Sequence, residues 1–240
     1  MKQRLDQRLT QLGLVSTRSQ AESYIKLGEV KVNGLVQTKP GVLVVETDKI
    51  ELTATEQYVS RAALKLASVA KALDLDFAGK TVLDVGSSTG GFTDYAIQHS
   101  AAKVIAVEVG TDQLHPTLRG NPKIELHEQT DIRDFITGEK IDLVVADVSF
   151  ISLREILPSV AKLCSKDTQI VAMVKPQFEA GHSSLKHKGV IKNDKMRRDI
   201  LKSFEDWANQ SFIIADKADS QIAGAKGNQE RFYLLRKALA

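Results

Sequence analysis

The stretch Thr81-Val-Leu-Asp-Val-Gly-Ser-Ser-Thr-Gly-Gly-Phe92 decides how the rest of the chain is read. Its first five residues, apolar around Asp84, predict a buried strand. Gly86, Gly90 and Gly91 then free the backbone for a tight turn and close ligand approach, and a helix opens behind them. Such strand-turn-helix units hold a nucleotide-like ligand at the carboxyl edge of a parallel sheet. The spacing excludes two common versions. A dinucleotide fingerprint needs glycine at 86, 88 and 91, but position 88 is serine. A phosphate loop needs lysine after its last glycine, and Phe92 follows Gly91.

Outward from this stretch, strands and helices alternate. A helix over 59–73 precedes the strand at 81–85; a helix over 91–99, a strand over 103–108 and a helix over 112–119 follow it. Further strands are predicted at 123–127, 141–146, 169–174, 211–216 and 231–236, with helices near 153–163 and 194–208. This pattern predicts an α/β fold built on a doubly wound, largely parallel sheet. The first fifty-odd residues form a separate unit. Leu5, Leu9 and Leu12 line one face of a short helix that stops at Gly13. A second helix, capped by Ser16 or Ser19, turns Ala21, Tyr24 and Ile25 inward and ends at Gly28. Asn33-Gly34 between Val30-Lys-Val32 and Leu35-Val36 is a strong hairpin signal, because both residues accept positive φ. Residues 53–57 are the expected linker, giving domains at 1–54 and 58–240.

Composition narrows the function. Hydrophobic residues make up 42% of the 240 and charged residues 26%, ordinary for a globular protein. The longest apolar runs are strand-sized, far short of the ~18 residues of a membrane span. No secretory signal opens the chain, and its single cysteine, Cys164, excludes an internal disulfide framework and a Cys-rich metal site. A cytoplasmic protein without membrane association is expected. His115, His182 and His187 lack ligand spacing, so no metal is expected. The net charge of +3 is small but unevenly spread. Residues 1–40 carry seven bases against three acids, and Lys186 through Arg198 carry six against Asp194. Two basic clusters beside a nucleotide-type pocket favour a phosphodiester partner.

The chemistry-bearing residues fall at strand ends. Ile141-Asp-Leu-Val-Val-Ala-Asp147 ends in a carboxylate and Ile170-Val-Ala-Met-Val-Lys175 in a lysine, while Gly227-Asn-Gln-Glu230 precedes the last strand. Ligands bind outside the carboxyl ends of the strands in such sheets. If the last strand runs antiparallel, Glu230 converges there with Asp147 and Lys175. In Tyr58-Val-Ser-Arg-Ala-Ala-Leu-Lys65-Leu66, Arg61 and Lys65 lie one turn apart on one helix face. Lys65, Asp147, Lys175 and Glu230 form the candidate catalytic set, with Lys175 central.

Two resemblances bear on these residues. The N-terminal block is similar to the S4 RNA-binding domain, an α+β module, through Arg4-Leu-Asp6, Leu9, Leu12-Gly13, Ser19, Ala21, Ile25, Gly28, Val30-Lys-Val-Asn-Gly34, Lys39-Pro40 and Asp48-Lys-Ile50. The resemblance implies that Arg4, Arg8, Arg18, Lys26, Lys31 and Asn33 lie near an RNA backbone. The Asp-x-Gly-x-x-x-Gly-Gly form at 84–91 resembles motif I of S-adenosylmethionine (SAM)-dependent methyltransferases. Together with Ser60-Arg61, Lys65-Leu66, Asp147-Val-Ser-Phe150-Ile-Ser-Leu153, Lys175-Pro-Gln-Phe-Glu179 and Gly227-Asn-Gln-Glu230, it resembles the FtsJ-like RNA 2′-O-ribose methyltransferases. The combination of both domains is similar to the TlyA family, often labelled hemolysin A.

The resemblance implies a Rossmann-like methyltransferase sheet behind a small S4 domain. It also implies SAM as cofactor and a cytidine of ribosomal RNA, alone or in a ribosomal subunit, as substrate. SAM would sit over Gly86–Gly91, near Asp84, Gly86 and Ser88, with Gly90, Gly91 and Phe92 completing the loop. Glu108 is expected at the ribose hydroxyls and Asp131 at the adenine amino group. Arg61 is expected to face RNA. Residues 176–193 are a candidate lid, and Phe178 is a base-stacking or core residue. Lys175 would remove the hydroxyl proton or steer the oxygen and stabilise its developing charge. Two other functions are weighed. A non-catalytic RNA-binding or ribosome-assembly factor is countered by the intact four-residue set; a membrane-active hemolysin lacks a span or a strongly amphipathic cationic helix.

Overall fold

The structure is a computed structural model; it describes residues 2–55, 57–180, 189–191, 193–224 and 227–238. The N-terminal block opens with β1 (Gln3–Arg4), α1 (Leu5–Gln11) and α2 (Arg18–Lys26), then β2 (Val30–Val32), β3 (Leu35–Val36), β4 (Leu43–Val44) and β5 (Ile50–Leu52). Leu5, Leu9, Ala21, Tyr24 and Ile25 bury against one another, as the helical spacing predicts, whereas Leu12 stays exposed. The N-cap of α2 is Thr17, whose hydroxyl accepts from the Gln20 amide, rather than Ser16 or Ser19. Asn33 and Gly34 take φ of 51° and 81°, and the hairpin they turn pairs Val32 with Leu35.

The larger part comprises α3 (Arg61–Ala70), β6 (Thr81–Val85), α4 (Gly91–Gln98), β7 (Lys103–Val107), β8 (Ile124–His127), β9 (Ile141–Ala146), α5 (Leu153–Leu163), β10 (Cys164–Val174), α6 (Pro176–Glu179), α7 (Asp194–Ala208), β11 (Phe212–Asp219) and β12 (Arg231–Lys237). Seven strands form one sheet in the order β11-β12-β10-β9-β6-β7-β8. The neighbours from β10 to β8 run parallel, and β12 lies antiparallel to both β10 and β11. Both faces are covered. Val82, Val104, Leu143, Val171 and Phe232 pack toward α3 and α4, while Leu83, Ile105, Val144, Ile170 and Tyr233 pack toward α5 and α7. Strands buried on both faces read as the continuous apolar runs seen in the sequence.

The two parts share one core at Tyr58. Gln20 of α2 donates to the Tyr58 carbonyl, and Asp94 of α4 accepts from the Val59 amide at 2.7 Å. The helix expected over 112–119 does not form; the segment is a series of turns. Pro116 lacks an N–H and biases the residue before it away from helix, which breaks the periodicity that suggested one. Its Leu114 and Leu118 bury instead against Gly90. No helix among the described residues is long and apolar enough to cross a membrane.

Candidate active site

The carboxyl ends of β6, β7, β9 and β10 and the start of β12 share one edge of the sheet. Two clefts open there, of about 550 Å³ and about 520 Å³, divided by Asp147, Ser149 and Phe150. The first is lined by Gly86, Ser88, Glu108, Val109, Asp131 and Ile132, among others. Gly86 takes φ of 79°, and a Cβ there would meet the Asp147 carbonyl at 3.0 Å. The close approach of β6 and β9 therefore requires glycine. Glu108 is buried, with one oxygen accepting from the Ser88 amide at 2.9 Å and the other from Gly110 at 2.7 Å. The Arg133 guanidinium hydrogen-bonded to Asp131 holds that carboxyl below the ordinary range.

Asp84 lies beneath the glycine turn, 1% exposed. Its Oδ2 accepts from the Thr93 hydroxyl at 2.6 Å, while Oδ1 has no partner. Burial pushes its pKa up to about 7, against the Thr93 hydrogen bond, with Asp147 adding to the rise. The Ser87 hydroxyl is also buried without a partner. A carboxylate oxygen and a hydroxyl left unsatisfied beside a glycine turn suit a ligand that brings an ammonium group. Glu108 at the end of β7 suits vicinal hydroxyls. These residues fit SAM.

Three residues of the expected cofactor loop do other work. Gly90 has φ of 87° and abuts Leu114 and Leu118; Gly91 packs so tightly on Ser60 and Ala62 that a Cβ would collide. Phe92 is core, its ring 6.1 Å from that of Phe232. None of the three lines either cleft, and Asp84 and Ser87 lie behind the lining as well. They shape the loop from behind, a distinction that glycine spacing cannot make.

The second cleft gathers the four residues singled out in the sequence. Lys65 and Glu230 form a buried ion pair at 2.5 Å. Lys175 Nζ stands 2.6 Å from Asp147 Oδ1 and donates to Ser149 Oγ at 2.7 Å. Convergence depends on the antiparallel β12, which brings Glu230 to the edge where β9 and β10 end. Arg61 and Phe178 line the same cleft. The Phe178 ring lies 5.3 Å from that of Phe150, and Lys175 Nζ lies 5.9 Å from its centroid.

Sequence reasoning gave Ser149, Phe150 and Asn228 no role. Phe150 is 92% exposed at φ of 67°, a left-handed conformation that a bulky residue rarely takes. Its only sequence signal was its position just ahead of α5, inside a motif already quoted. Asn228 is buried, accepting from the Ile191 amide and donating to the Gly189 carbonyl, and so ties residues 189–191 to the turn before β12. The rest of the expected lid, 181–188 and 192, lies outside the described residues, as do His182, His187 and three bases of the second cluster. Among the described residues no group of three or more His, Cys, Asp or Glu could hold a metal.

The residues expected to meet RNA divide. Arg4 and Arg18 flank buried Asp6 at 2.8 and 2.9 Å. Burial pushes Asp6 upward, but the two guanidinium groups hold its carboxyl below the ordinary range. Arg8 bonds Gln11, and Asn33 is spent on Asp48 and the Lys49 amide, stapling the loop after β4. Lys26 is exposed and Lys31 half-buried on β2.

Both parts of the chain match known proteins. Residues 58–237 match the FtsJ-like methyltransferase family and residues 3–50 the S4 domain. A 16S/23S rRNA (cytidine-2'-O)-methyltransferase, TlyA of Mycobacterium tuberculosis, is 36% identical over 97% of this chain and 89% of its own. The 23S rRNA (cytidine-2'-O)-methyltransferase TlyA of Campylobacter jejuni is 42% identical over 80% of this chain and 76% of its own. A solved structure labelled hemolysin, from Streptococcus thermophilus, superposes with a TM-score of 0.72 at 35% identity, covering 99% of this chain and 89% of the other.

Proposed function

The chain belongs to the FtsJ-like methyltransferase family, and from that premise we propose that it transfers the methyl group of SAM to the 2′-hydroxyl of a cytidine in ribosomal RNA. The observation that carries this reading is Lys175 Nζ, held by Asp147 and Ser149 on the wall between the two clefts. SAM, when bound, supplies a methyl already activated on a sulfonium. What remains for the protein is to align a weak nucleophile and accommodate the charge that grows on it.

Gly86, Ser88, Glu108 and Asp131 would hold the cofactor in the first cleft, with Asp84 beneath its floor, and the target ribose would enter the second. Lys175 donates to Ser149 and is paired by charge with Asp147, leaving N–H capacity for the ribose oxygen. From there it orients the hydroxyl and stabilises the negative charge that develops on the oxygen as it bonds the methyl and its proton passes to solvent in the open cleft. Asp147 keeps the lysine aimed, and the Lys65–Glu230 pair bounds the far side of the cleft, with the Lys65 ammonium toward the same oxygen. Phe150 and Phe178 offer aromatic faces beside it, suited to stacking on an unpaired base.

The domain division follows from these roles. Residues 1–54 dock RNA and residues 58–240 carry the chemistry. Lys26, Lys31, Arg8, Arg61 and the Arg4–Arg18 pair would contact phosphates, so affinity is expected to fall steeply with salt. The substrate implies action in the cytoplasm, on free RNA or a ribosomal subunit.

The test uses labelled SAM, purified protein and unmodified bacterial ribosomal subunits, followed by alkaline digestion of the RNA. A 2′-O-methyl blocks cleavage of its own phosphodiester. Label in an alkali-resistant dinucleotide, lost in Lys175→Ala while SAM binding persists, is the expected result. Label in mononucleotides means base methylation and refutes the mechanism. No label despite RNA binding leaves an assembly factor as the better reading.

A further inference from the structure

Glu179 closes the short helix α6 that follows Lys175, and its side chain turns away from both clefts. Its Oε2 accepts from the Ser152 hydroxyl at 2.6 Å and its Oε1 from the Leu153 amide at 2.8 Å. Arg154 Nε stands 3.5 Å from Oε2, and the Glu179 side chain is 1% exposed. All three partners belong to the first turn of α5 or its cap. Ser152 is the N-cap, its hydroxyl also accepting from the Arg154 amide, and Leu153 carries one of the amides that a helix start leaves unpaired. A carboxylate from another element answers that need and the positive end of the helix together.

The consequence lies in what the bond connects. Asp147 and Ser149 sit on the segment between β9 and α5, and Lys175 sits between β10 and α6. The ladder joining these two strands ends at Ala146 with Ala172. Beyond it, among the described residues, no backbone hydrogen bond joins 147–153 to 175–179. Side-chain contacts do so instead: Lys175 to Asp147 and Ser149 at the near end, the Phe150 and Phe178 rings between, and Glu179 to Ser152 and Leu153 at the far end. Arg154 steadies the far end, since it also donates to Ser203 of α7 and lies over the Trp207 ring. Two segments hydrogen-bonded at both ends form a closed frame, whereas without Glu179 only the Lys175 contacts and a ring pair exposed to solvent at Phe150 would resist movement of α6.

We propose that Glu179 is a positioning residue for methyl transfer, fixing the separation of Lys175 from Asp147 and Ser149 by clamping α6 to the start of α5. The proposal rests on the function assigned above to Lys175. Burial raises the Glu179 carboxyl, opposed by Ser152, Leu153 and Arg154, as suits a group set in a dry junction rather than one facing substrate.

Three variants separate reach from charge. Glu179→Gln keeps the length, accepting from Leu153 and donating to Ser152. Glu179→Asp keeps the charge but is one methylene short. Glu179→Ala removes both. Each is compared with wild type and with Lys175→Ala in single-turnover methylation at saturating SAM and RNA, with SAM and RNA affinities and thermal melting measured alongside. A misplacement near 1 Å costs about 100-fold. Glu179→Ala and Glu179→Asp are therefore expected to lose about 10- to 100-fold in turnover with both affinities within about threefold of wild type, and Glu179→Gln to recover most of the rate. Glu179→Asp answers the question even if Glu179→Ala fails to fold. Wild-type turnover in Glu179→Asp, a loss confined to affinity, or a glutamine variant as slow as alanine overturns the proposal. Full methylation by Lys175→Ala would instead overturn the reading of the site beneath it.

Discussion

Replacing Asp84 by asparagine exchanges a buried carboxyl for a group that never ionises. The native protein holds this carboxyl at about 7 rather than 3.8, because burial disfavours its charge more than the Thr93 hydrogen bond supports it. Between those values the folded chain keeps a proton that the unfolded chain has released. Stability therefore falls as pH rises from about 4 to about 7 and is level above that. At about 1.4 kcal/mol for each pH unit of that interval, the burden of Asp84 is roughly 4 kcal/mol at neutral pH and above. The asparagine variant carries none of it, so its stability relative to wild type should rise by about 3 kcal/mol between pH 5 and pH 8. Its own cost, an amide where Oδ1 had no partner, is independent of pH and drops out of that difference. Urea unfolding of both proteins without SAM, at several pH values, measures it. Calorimetry with SAM supplies the functional half. Wild-type affinity should strengthen through pH 7 as the carboxylate forms opposite the ligand's ammonium, while Asp84→Asn binds weakly and without that slope. A stability difference that stays flat with pH, or that moves against the variant as pH rises, refutes the reasoning.

Two further outcomes follow from the geometry. Lys65→Met leaves Glu230 buried without its partner and should cost about 3–5 kcal/mol in urea unfolding. Adding Glu230→Gln should return most of that stability but none of the methyl transfer, and a double variant as unstable as the single contradicts the pairing. Gly90→Ala forces φ of 87° on an L-residue and drives its Cβ to 2.5 Å from Leu118 Cδ1. It should lower stability by at least ~1 kcal/mol and weaken SAM binding. Leu118→Ala in the same chain should restore part of the binding by removing one of two collisions, the Leu114 Cδ1 contact at 2.6 Å remaining, while an unchanged melting temperature in Gly90→Ala speaks against it.

What the sequence disclosed, and what it withheld, divides along physical lines. The parallel strands were legible because burial on both faces leaves apolar runs such as Val104–Val107 and Leu143–Ala146. Asp147 and Lys175 were legible because each follows such a run directly. Glu230 required the direction of β12, which the sequence left conditional and the structure makes antiparallel. Leu114 and Leu118 imitated a helix because their spacing says nothing of Pro116 between them. Phe92 and Glu108 flank the same loop, yet one is core and the other lines the cleft, since strand ends advertise their direction and helix starts do not. Asn33 carried a correct turn signal, but its amide serves Asp48 and Lys49 rather than standing free. Glu179 lay in plain view within a quoted motif. Its partners are 26 and 27 residues earlier, and no local pattern records a bond across that interval.

The sheet order has a consequence for how the chain is made. β11 leaves the ribosome before β12, yet among the described strands it pairs with β12 alone, and the outer edge of β10 waits for the same strand. A nascent chain reaching Asp219 therefore has an open edge beside Lys175 and a strand without a partner strand. Inserting β12 fills that gap and delivers Glu230 to Lys65 in one event. Before it, three of the four residues are present on an unfinished platform. The enzyme is thus expected to gain its sheet and its chemistry together, and a chain stalled in that interval would be inert, with an exposed edge fit for chaperones or for aggregation.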